Sequence, residues 1–382
     1  MARDAGRDAG RDAGAQHDAG PPCGPGIEWI DPVPLIRPID SVIAPSLAGS
    51  DEGFELAYWH VSPELCDGPC PAALRVPPEG PQPGERDAHP MYWADWSDLT
   101  RVEARVDPSS PPWFVAIGGG RVAWARAPEP GWSAVAQVEV DREVGDVAFG
   151  LESVWIETHE LGPTGEARAM RILERARSGE PIADHDGSVL THGFEYRAPM
   201  LRTSRGGELV IGFTQDVDSP PTVHLGNLDD HPRLPWSGSS CGVSAFDFSA
   251  DGLHYVVERC GDRVVMELLR GDFPTDVLDV SGAHHALGSP RIAPHDTGVL
   301  AAYWHADGSA RVHVFDRAPS EVASDTIPGS ALLPGESPGG LAVATSAAPG
   351  RGYVLAVVWT HLAADGAEVP SYGALQRFRL CE

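Results

Sequence analysis

One plan recurs along this chain: a short apolar segment, a turn of Gly, Asp or Pro, a strongly apolar segment, a polar turn, and a third alternating segment. Its clearest copy runs from Ser289 through Ile292 and the turn His295-Asp296-Thr297-Gly298 into Val299-Leu300-Ala301-Ala302-Tyr303-Trp304. It turns again at Asp307-Gly308 and leaves as Arg311-Val312-His313-Val314-Phe315. The copy before it takes in Ser244 to Ser249, Ala250-Asp251-Gly252 and Leu253 to Val257, then Gly261-Asp262 and Arg263 to Leu269. The last copy covers Leu341 to Thr345, Tyr353 to Trp359, a turn at Asp365-Gly366, and Leu375 to Leu380. Weaker copies centre on Phe54 to Trp59, Trp113 to Ile117, Val147 to Trp155 and Glu208 to Phe213. The seven centres lie about 50 residues apart, a period in the range of stacked sheet repeats. Asp-Gly between alternating apolar runs is a hairpin signal. A lone unit of this kind cannot bury both faces, so units must pack on one another, and a ring lets each protect the next.

The expectation is an all-β chain folded as a single β-propeller of seven blades, each of four antiparallel strands, with six or eight blades as alternatives. The 43 Gly and 36 Pro are spread along the chain, punctuating short strands and leaving little room for long helices. Ile27-Glu28-Trp29-Ile30 is strand-like and has no copy of its own, while the last copy ends after three strands. If the first segment supplies the missing fourth strand, the two ends of the chain close the ring.

The element Phe248-Ser249-Ala250-Asp251-Gly252-Leu253, an apolar strand, Ser/Ala-x-Asp-Gly and another apolar strand, resembles the WD40-like propeller repeats of bacterial envelope proteins. The match is clear in the C-terminal half and degenerate before Val210, and the Trp-Asp and Gly-His signatures of eukaryotic WD40 domains are missing. Ahead of the repeats, Arg3-Asp4-Ala5-Gly6, Arg7-Asp8-Ala9-Gly10, Arg11-Asp12-Ala13-Gly14 and His17-Asp18-Ala19-Gly20 form a low-complexity tract with almost nothing apolar to bury. It resembles the Asp-Ala-Gly-rich tethers of bacterial surface lipoproteins. Residues 1–22 are read as a disordered tether and 23–382 as the propeller. No apolar run long enough for a signal segment precedes the tract, so a lipid anchor or leader would lie upstream of Met1. No stretch reaches the roughly 18 apolar residues of a membrane span.

The formal net charge is −27, and all 28 basic residues are Arg. Such a surface repels phosphate backbones, which argues against nucleic acid as a partner. The six cysteines are placed for an oxidising compartment. Cys23 precedes the first strand-like segment and Cys381 is penultimate, Cys66 and Cys70 bracket a turn, and Cys241 and Cys260 flank a hairpin. The pairing Cys23–Cys381, Cys66–Cys70 and Cys241–Cys260 is expected, although six cysteines allow many connectivities. These loops stabilise by roughly 5, 2 and 3 kcal/mol respectively in the chain-entropy model.

No catalytic, nucleotide-binding or metal motif with convincing spacing stands out, and no cofactor is called for. Arg37, Arg105, Arg197 and Arg291 fall on or beside candidate innermost strands, where convergent guanidinium groups would pair with a carboxylate as in sialidases. The Asp box of that family is not matched, because Ser249-Ala250-Asp251-Gly252 has its Gly one place early. The competing reading is that these arginines solvate strand ends. Asp184-His185-Asp186-Gly187 starts like a calcium loop, but Ser188-Val189-Leu190-Thr191 supplies no further carboxylate. Asp229-Asp230-His231 and His284-His285 are read as solvated loops, and Gly118-Gly119-Gly120 as a hairpin turn. Trp59, Trp155, Trp304 and Trp359 recur at strand ends and are assigned to blade-to-blade core.

The function expected is a non-catalytic binding or scaffold propeller, exported to the periplasm or cell surface of a bacterium. As a monomer it would recognise an envelope protein or glycan through its funnel. The alternative is an extracellular glycan hydrolase or lyase with two carboxylates facing each other at the funnel. A third reading is a surface protein with a purely structural role.

Overall fold

The computed structural model describes residues 26–35, 45–61, 69–78, 89–90, 98–107, 110–126, 134–204, 206–215, 222–228, 235–236, 243–249, 254–261, 263–270, 273–279, 286–295, 297–317, 320–348, 352–362 and 372–381. Two short strands come first, β1 (Gly26–Trp29) and β2 (Val33–Leu35). Six blades follow, each built from four consecutive strands. Blade 1 holds β3 (Ser46–Ser50), β4 (Gly53–Val61), β5 (Pro69–Val76) and β6 (His89–Pro90). Blade 2 holds β7 (Leu99–Asp107), β8 (Ser110–Gly118), β9 (Arg121–Arg126) and β10 (Ala136–Glu139). Blade 3 holds β11 (Glu143–Phe149), β12 (Ser153–Leu161), β13 (Ala167–Ala176) and β14 (Pro181–Asp186). A one-turn helix, α1 (Ser188–Thr191), leads into blade 4, with β15 (Arg197–Thr203), β16 (Leu209–Gln215), β17 (Thr222–Gly226) and β18 (Pro235–Trp236). Blade 5 holds β19 (Val243–Phe248), β20 (His254–Cys260), β21 (Arg263–Arg270) and β22 (Phe273–Asp279). Blade 6 holds β23 (Ala286–His295), β24 (Gly298–His305), β25 (Ala310–Asp316) and β26 (Glu321–Thr326). Blade 7 takes only three strands from the C-terminal end: β27 (Ser337–Ala348), β28 (Gly352–Leu362) and β29 (Tyr372–Cys381).

The seven antiparallel sheets are the blades of a β-propeller, as the repeat predicts. Six of the expected repeat centres lie on the second strand of a blade, and the seventh, Val147 to Trp155, spans β11 and enters β12. These second strands read as nearly unbroken apolar runs because both faces are covered by neighbouring blades. In β24 every residue from Gly298 to Trp304 is buried. The core is accordingly divided by blade interface. Among the described residues seven apolar clusters occupy the seven seams in turn, from the blade 1–2 seam around to the blade 7–1 seam. Trp304 and Trp359 are fully buried together in the blade 6–7 seam. Trp59 and Trp155 pack partly buried against the blade 1–2 and blade 3–4 seams. The expected core role of these four tryptophans holds.

Ring closure follows the expected route. β1 pairs antiparallel with β29, with Gly26 opposite Cys381 and Trp29 opposite Phe378, and becomes the fourth strand of blade 7. Ile30 N–H continues the ladder to Arg377 O at 2.9 Å. The Trp29 indole donates to Asp325 Oδ2 of β26 at 2.7 Å, fastening this strand to the outer edge of blade 6. Gly118-Gly119-Gly120 turns the β8–β9 hairpin, and the positive φ values of Gly119 and Gly120, 52° and 69°, explain why glycine stands there.

No helix of the described residues is long and apolar enough to cross a membrane. Cys260 and Cys381, the cysteines whose side chains are described, are buried and disulfide-bonded, and no described cysteine is free. The side chains of Cys23, Cys66, Cys70 and Cys241 lie outside the described ones, as does the whole of the 1–22 tract.

Candidate functional site

The innermost strands β3, β7, β11, β15, β19, β23 and β27 surround a central channel enclosing a cavity of about 1300 Å³. Its wall is organised by what each inner strand presents to the next. On β7 the period-2 alternation of a strand puts Arg101, Glu103 and Arg105 on one face and the buried Val102 and Ala104 on the other. Glu103 is bound by both arginines, at 3.1 Å from Arg101 Nε and 2.6 Å from Arg105 Nη2. Although burial opposes its charge, these two guanidinium groups hold its carboxyl down to about 2. Arg105 also pairs with Asp146 on β11 of blade 3. Arg202 on β15 of blade 4 spans the next two seams, 3.3 Å from Asp146 Oδ2 and 2.8 Å from Asp247 Oδ1 on β19 of blade 5.

The carboxylates do more than pair with arginine. Asp146 Oδ1 accepts Val147 N–H at 2.9 Å, and Oδ2 accepts Leu201 N–H of the following blade at 2.7 Å. Asp247 repeats the arrangement, taking Phe248 N–H at 2.9 Å and Ile292 N–H of blade 6 at 3.3 Å. Ser46 of blade 1 accepts Ala104 N–H of blade 2 at 3.1 Å and returns its hydroxyl to Ala104 O at 3.0 Å. Blades 1, 3 and 5 therefore each offer an acceptor that pins the inner strand of blades 2, 4 and 6. Blade 7 has no charged residue on its inner strand, Ser337–Ala348. It meets blade 1 by close backbone approach, by the Ser346 hydroxyl donating to Ser50 O, and by Arg377 of β29 donating to Pro77 O. A Cβ on Gly49 would lie 1.8 Å from Thr345 O, which is why a glycine stands there. The inner strands of blades 2 to 6 thus carry charge and those of blades 7 and 1 carry none, while Asp51 and Glu52 line the cavity from the turn after β3.

A second polar cluster sits behind the wall between blades 3 and 4. Glu157 is fully buried, accepting the Tyr196 hydroxyl at 2.7 Å and lying 3.1 Å from His159 Nδ1. Burial, reinforced by the Glu157 charge, pushes the Tyr196 phenol upward, so it stays a proton donor. Gly145, at a bulge in β11, gives Glu157 Oε2 its space, since a Cβ there would lie 1.9 Å away. The facing bulge in β15 contains Ala198 at a φ of 48° and sets Pro199 against the same glycine. Of this cluster His159 reaches the cavity wall.

The four expected arginines are treated differently by the fold. Arg105 and Arg291 both line the cavity. Arg197, at the end of β15, is exposed and does not line it. Arg37 is outside the described residues. Sequence reasoning missed Arg101, Glu103, Asp146, Arg202 and Asp247. The charged alternation Arg101-Val102-Glu103-Ala104-Arg105 was the available signal for β7. The two aspartates each precede a buried apolar residue on a first strand.

Asp184 pairs with Arg175 at 2.6 Å, and Asp186 caps Ser188 N–H at 2.9 Å rather than opening an ion loop. No group of three or more His, Cys, Asp or Glu among the described residues is arranged to hold a metal ion. Asp229-Asp230-His231 and His284-His285 fall outside them.

No family model matches the chain, and no curated protein matches its sequence. Its fold is similar to solved propellers over nearly its whole length. One is a subtype N11 neuraminidase-like protein of A/flat-faced bat/Peru/033/2010 (H18N11). It is 12% identical, covering 94% of this chain and 95% of that one with a TM-score of 0.50. A chain of the Mitotic Checkpoint Complex is 13% identical over 93% and 94%, with a TM-score of 0.53. The β-propeller domain of Cps50 (Swd1) from Myceliophteria thermophila is 10% identical over 91% and 99%, with a TM-score of 0.52. At these identities the likeness establishes the fold alone, and function has to be argued from the site.

Proposed function

We propose that this chain is a non-catalytic binding propeller of the cell envelope, exported and carried on residues 1–22 as a tether, that takes a ligand at its central channel. The observation that carries this reading is the engagement of the channel carboxylates. Glu103, Asp146 and Asp247 are each locked to arginine, and the latter two also accept main-chain N–H groups. A glycan hydrolase needs one carboxyl group that keeps its proton near neutral pH and a second facing it across the substrate. Glu103, held near 2, has no proton to give at neutral pH. A wall built this way is rigid, which suits recognition more than turnover. Disulfide-bonded Cys260 and Cys381 are in keeping with an oxidising compartment.

An affinity experiment with the immobilised full chain against envelope and secreted fractions of its source tests the reading. The expected result is stoichiometric retention of one protein or glycan, recovered unaltered. A polysaccharide that shortens on incubation would transfer the argument to the hydrolase. If no ligand is retained from either fraction, the binding reading is wrong.

A further inference from the structure

Resting on the binding reading, we infer that the channel holds a carboxylate-recognition site centred on Arg291, for a monoanionic ligand small enough to enter the cavity. The cavity wall carries four arginines, Arg101, Arg105, Arg202 and Arg291, and six carboxylates, of which Glu103, Asp146 and Asp247 are the ones paired with these arginines. The ion pairs leave one of the four guanidinium groups without a carboxylate partner among the described residues. Arg101 and Arg105 share Glu103, Arg105 and Arg202 share Asp146, and Arg202 also takes Asp247. Asp247 attracts Arg291 more than any other carboxylate does, yet Oδ1 is given to Arg202 and Phe248 N–H and Oδ2 to Ile292 N–H. Arg291 itself makes one bond, from Nε to Leu341 O at 3.2 Å. That bond orients the guanidinium and leaves its two terminal nitrogens without a partner among the described residues. Two other lining carboxylates are turned away, Asp107 to Arg177 and Glu52 to Arg75. Asp51 also lines the cavity and is exposed.

The chemistry of this remaining charge favours a carboxylate. Two parallel N–H groups of a guanidinium match two carboxylate oxygens, and one guanidinium without an ion pair takes one negative charge. Burial, with the repulsion of Arg202 and Arg105, outweighs the attraction of Asp247 and Asp146 and pulls the proton affinity of Arg291 down. A bound anion relieves that strain on the cation. The neighbouring strand supplies Ala342, Val343 and Ala344 at the cavity wall, small side chains that leave room for the uncharged body of the ligand. The carboxylate can belong to an acidic sugar or to a peptide side chain.

Titration calorimetry with the full chain separates these cases, using D-glucuronate, N-acetyl-L-aspartate amide, glucose and inorganic sulfate as probes. Wild-type protein is expected to bind one equivalent of a carboxylate probe and to ignore glucose. Arg291→Gln is expected to weaken that binding at least tenfold, and Arg291→Lys, which keeps the charge without the fork, to fall between. Tighter binding of glucuronate assigns an acidic sugar, and tighter binding of the aspartate probe assigns a peptide. If Arg291→Gln does not fold, the charge-preserving Arg291→Lys with its weakened binding carries the test. Sulfate binding alone, no binding of either carboxylate, or equal affinity in both variants overturns the inference. Retention of an envelope ligand by Arg291→Gln as strong as by wild type would also remove it while leaving the binding reading intact.

Discussion

Glu55 on β4 shows how one buried carboxyl imposes a pH dependence on the whole ring. Its Oε1 accepts Arg75 Nε at 2.5 Å, while Oε2 is buried without a hydrogen-bond partner. Burial outweighs the attraction of Arg75 and raises the carboxyl to about 7 from an ordinary 4.5. The folded state therefore holds this proton more tightly than the unfolded chain. The associated stability is fully present below pH 4.5, declines as pH rises towards 7, and is lost above it. The shift corresponds to up to about 3 kcal/mol. Glu55→Gln is expected to shrink the fall in unfolding free energy between pH 5 and pH 8 by about 2 kcal/mol, read from urea denaturation at each pH. An unchanged pH profile would show that Glu55 titrates normally. At this scale little of the site was legible beforehand. Arg105 meets Asp146 and Arg202 meets Asp247 across separations of 41 and 45 residues. Each partner belongs to a different blade, and no local pattern states which aspartate an arginine will reach.

The elements were more legible, because strand and turn signals are local. Centres such as Phe54 to Trp59 and Tyr353 to Trp359 fall on β4 and β28 because a strand covered on both faces is apolar along most of its length, Glu55 being the exception on β4. The clasp of β1 on β29 was legible for a different reason: a strand-like segment without a blade and a blade short of a strand. Deleting residues 1–30 leaves β2 on Gly373 to Leu375 but is expected to bare the N–H and C=O row of β29 from Arg377 to Cys381, lowering the melting temperature and driving self-association. Light scattering across a concentration series reads the second effect, and an unaltered monomer of unaltered stability would show that the clasp is dispensable. The same register sets the expectation for the cysteines. Gly26 lies opposite Cys381, three residues from Cys23, and Val243 lies opposite Cys260, two residues from Cys241. Peptide mapping without reductant is expected to recover Cys23–Cys381 and Cys241–Cys260. Recovery of crossed pairs such as Cys23–Cys260 would contradict both.

For the whole molecule the net charge is −27, while Glu103, Asp146 and Asp247 of the channel belt are paired with arginine. Surface self-repulsion is screened by salt and the enclosed pairs of the belt much less so. Raising sodium chloride from low to moderate concentration is therefore expected to raise the melting temperature. A fall would mean that surface ion pairs such as Arg311–Asp307 outweigh the repulsion. The alternation of acceptor and pinned strand from blade to blade has a further consequence that is a matter of parity. A ring whose members alternate between two kinds closes without a mismatch only when their number is even. With seven, one member must stand outside the pattern, and here it is blade 7, assembled from both ends of the chain. This is the blade that cannot be finished until synthesis has reached β29. Its inner strand then docks between blades 6 and 1 without stripping water from a charge or finding a counter-ion, and the charge that this blade does bury, Arg377 of β29, donates to Pro77 O of blade 1 at 2.7 Å.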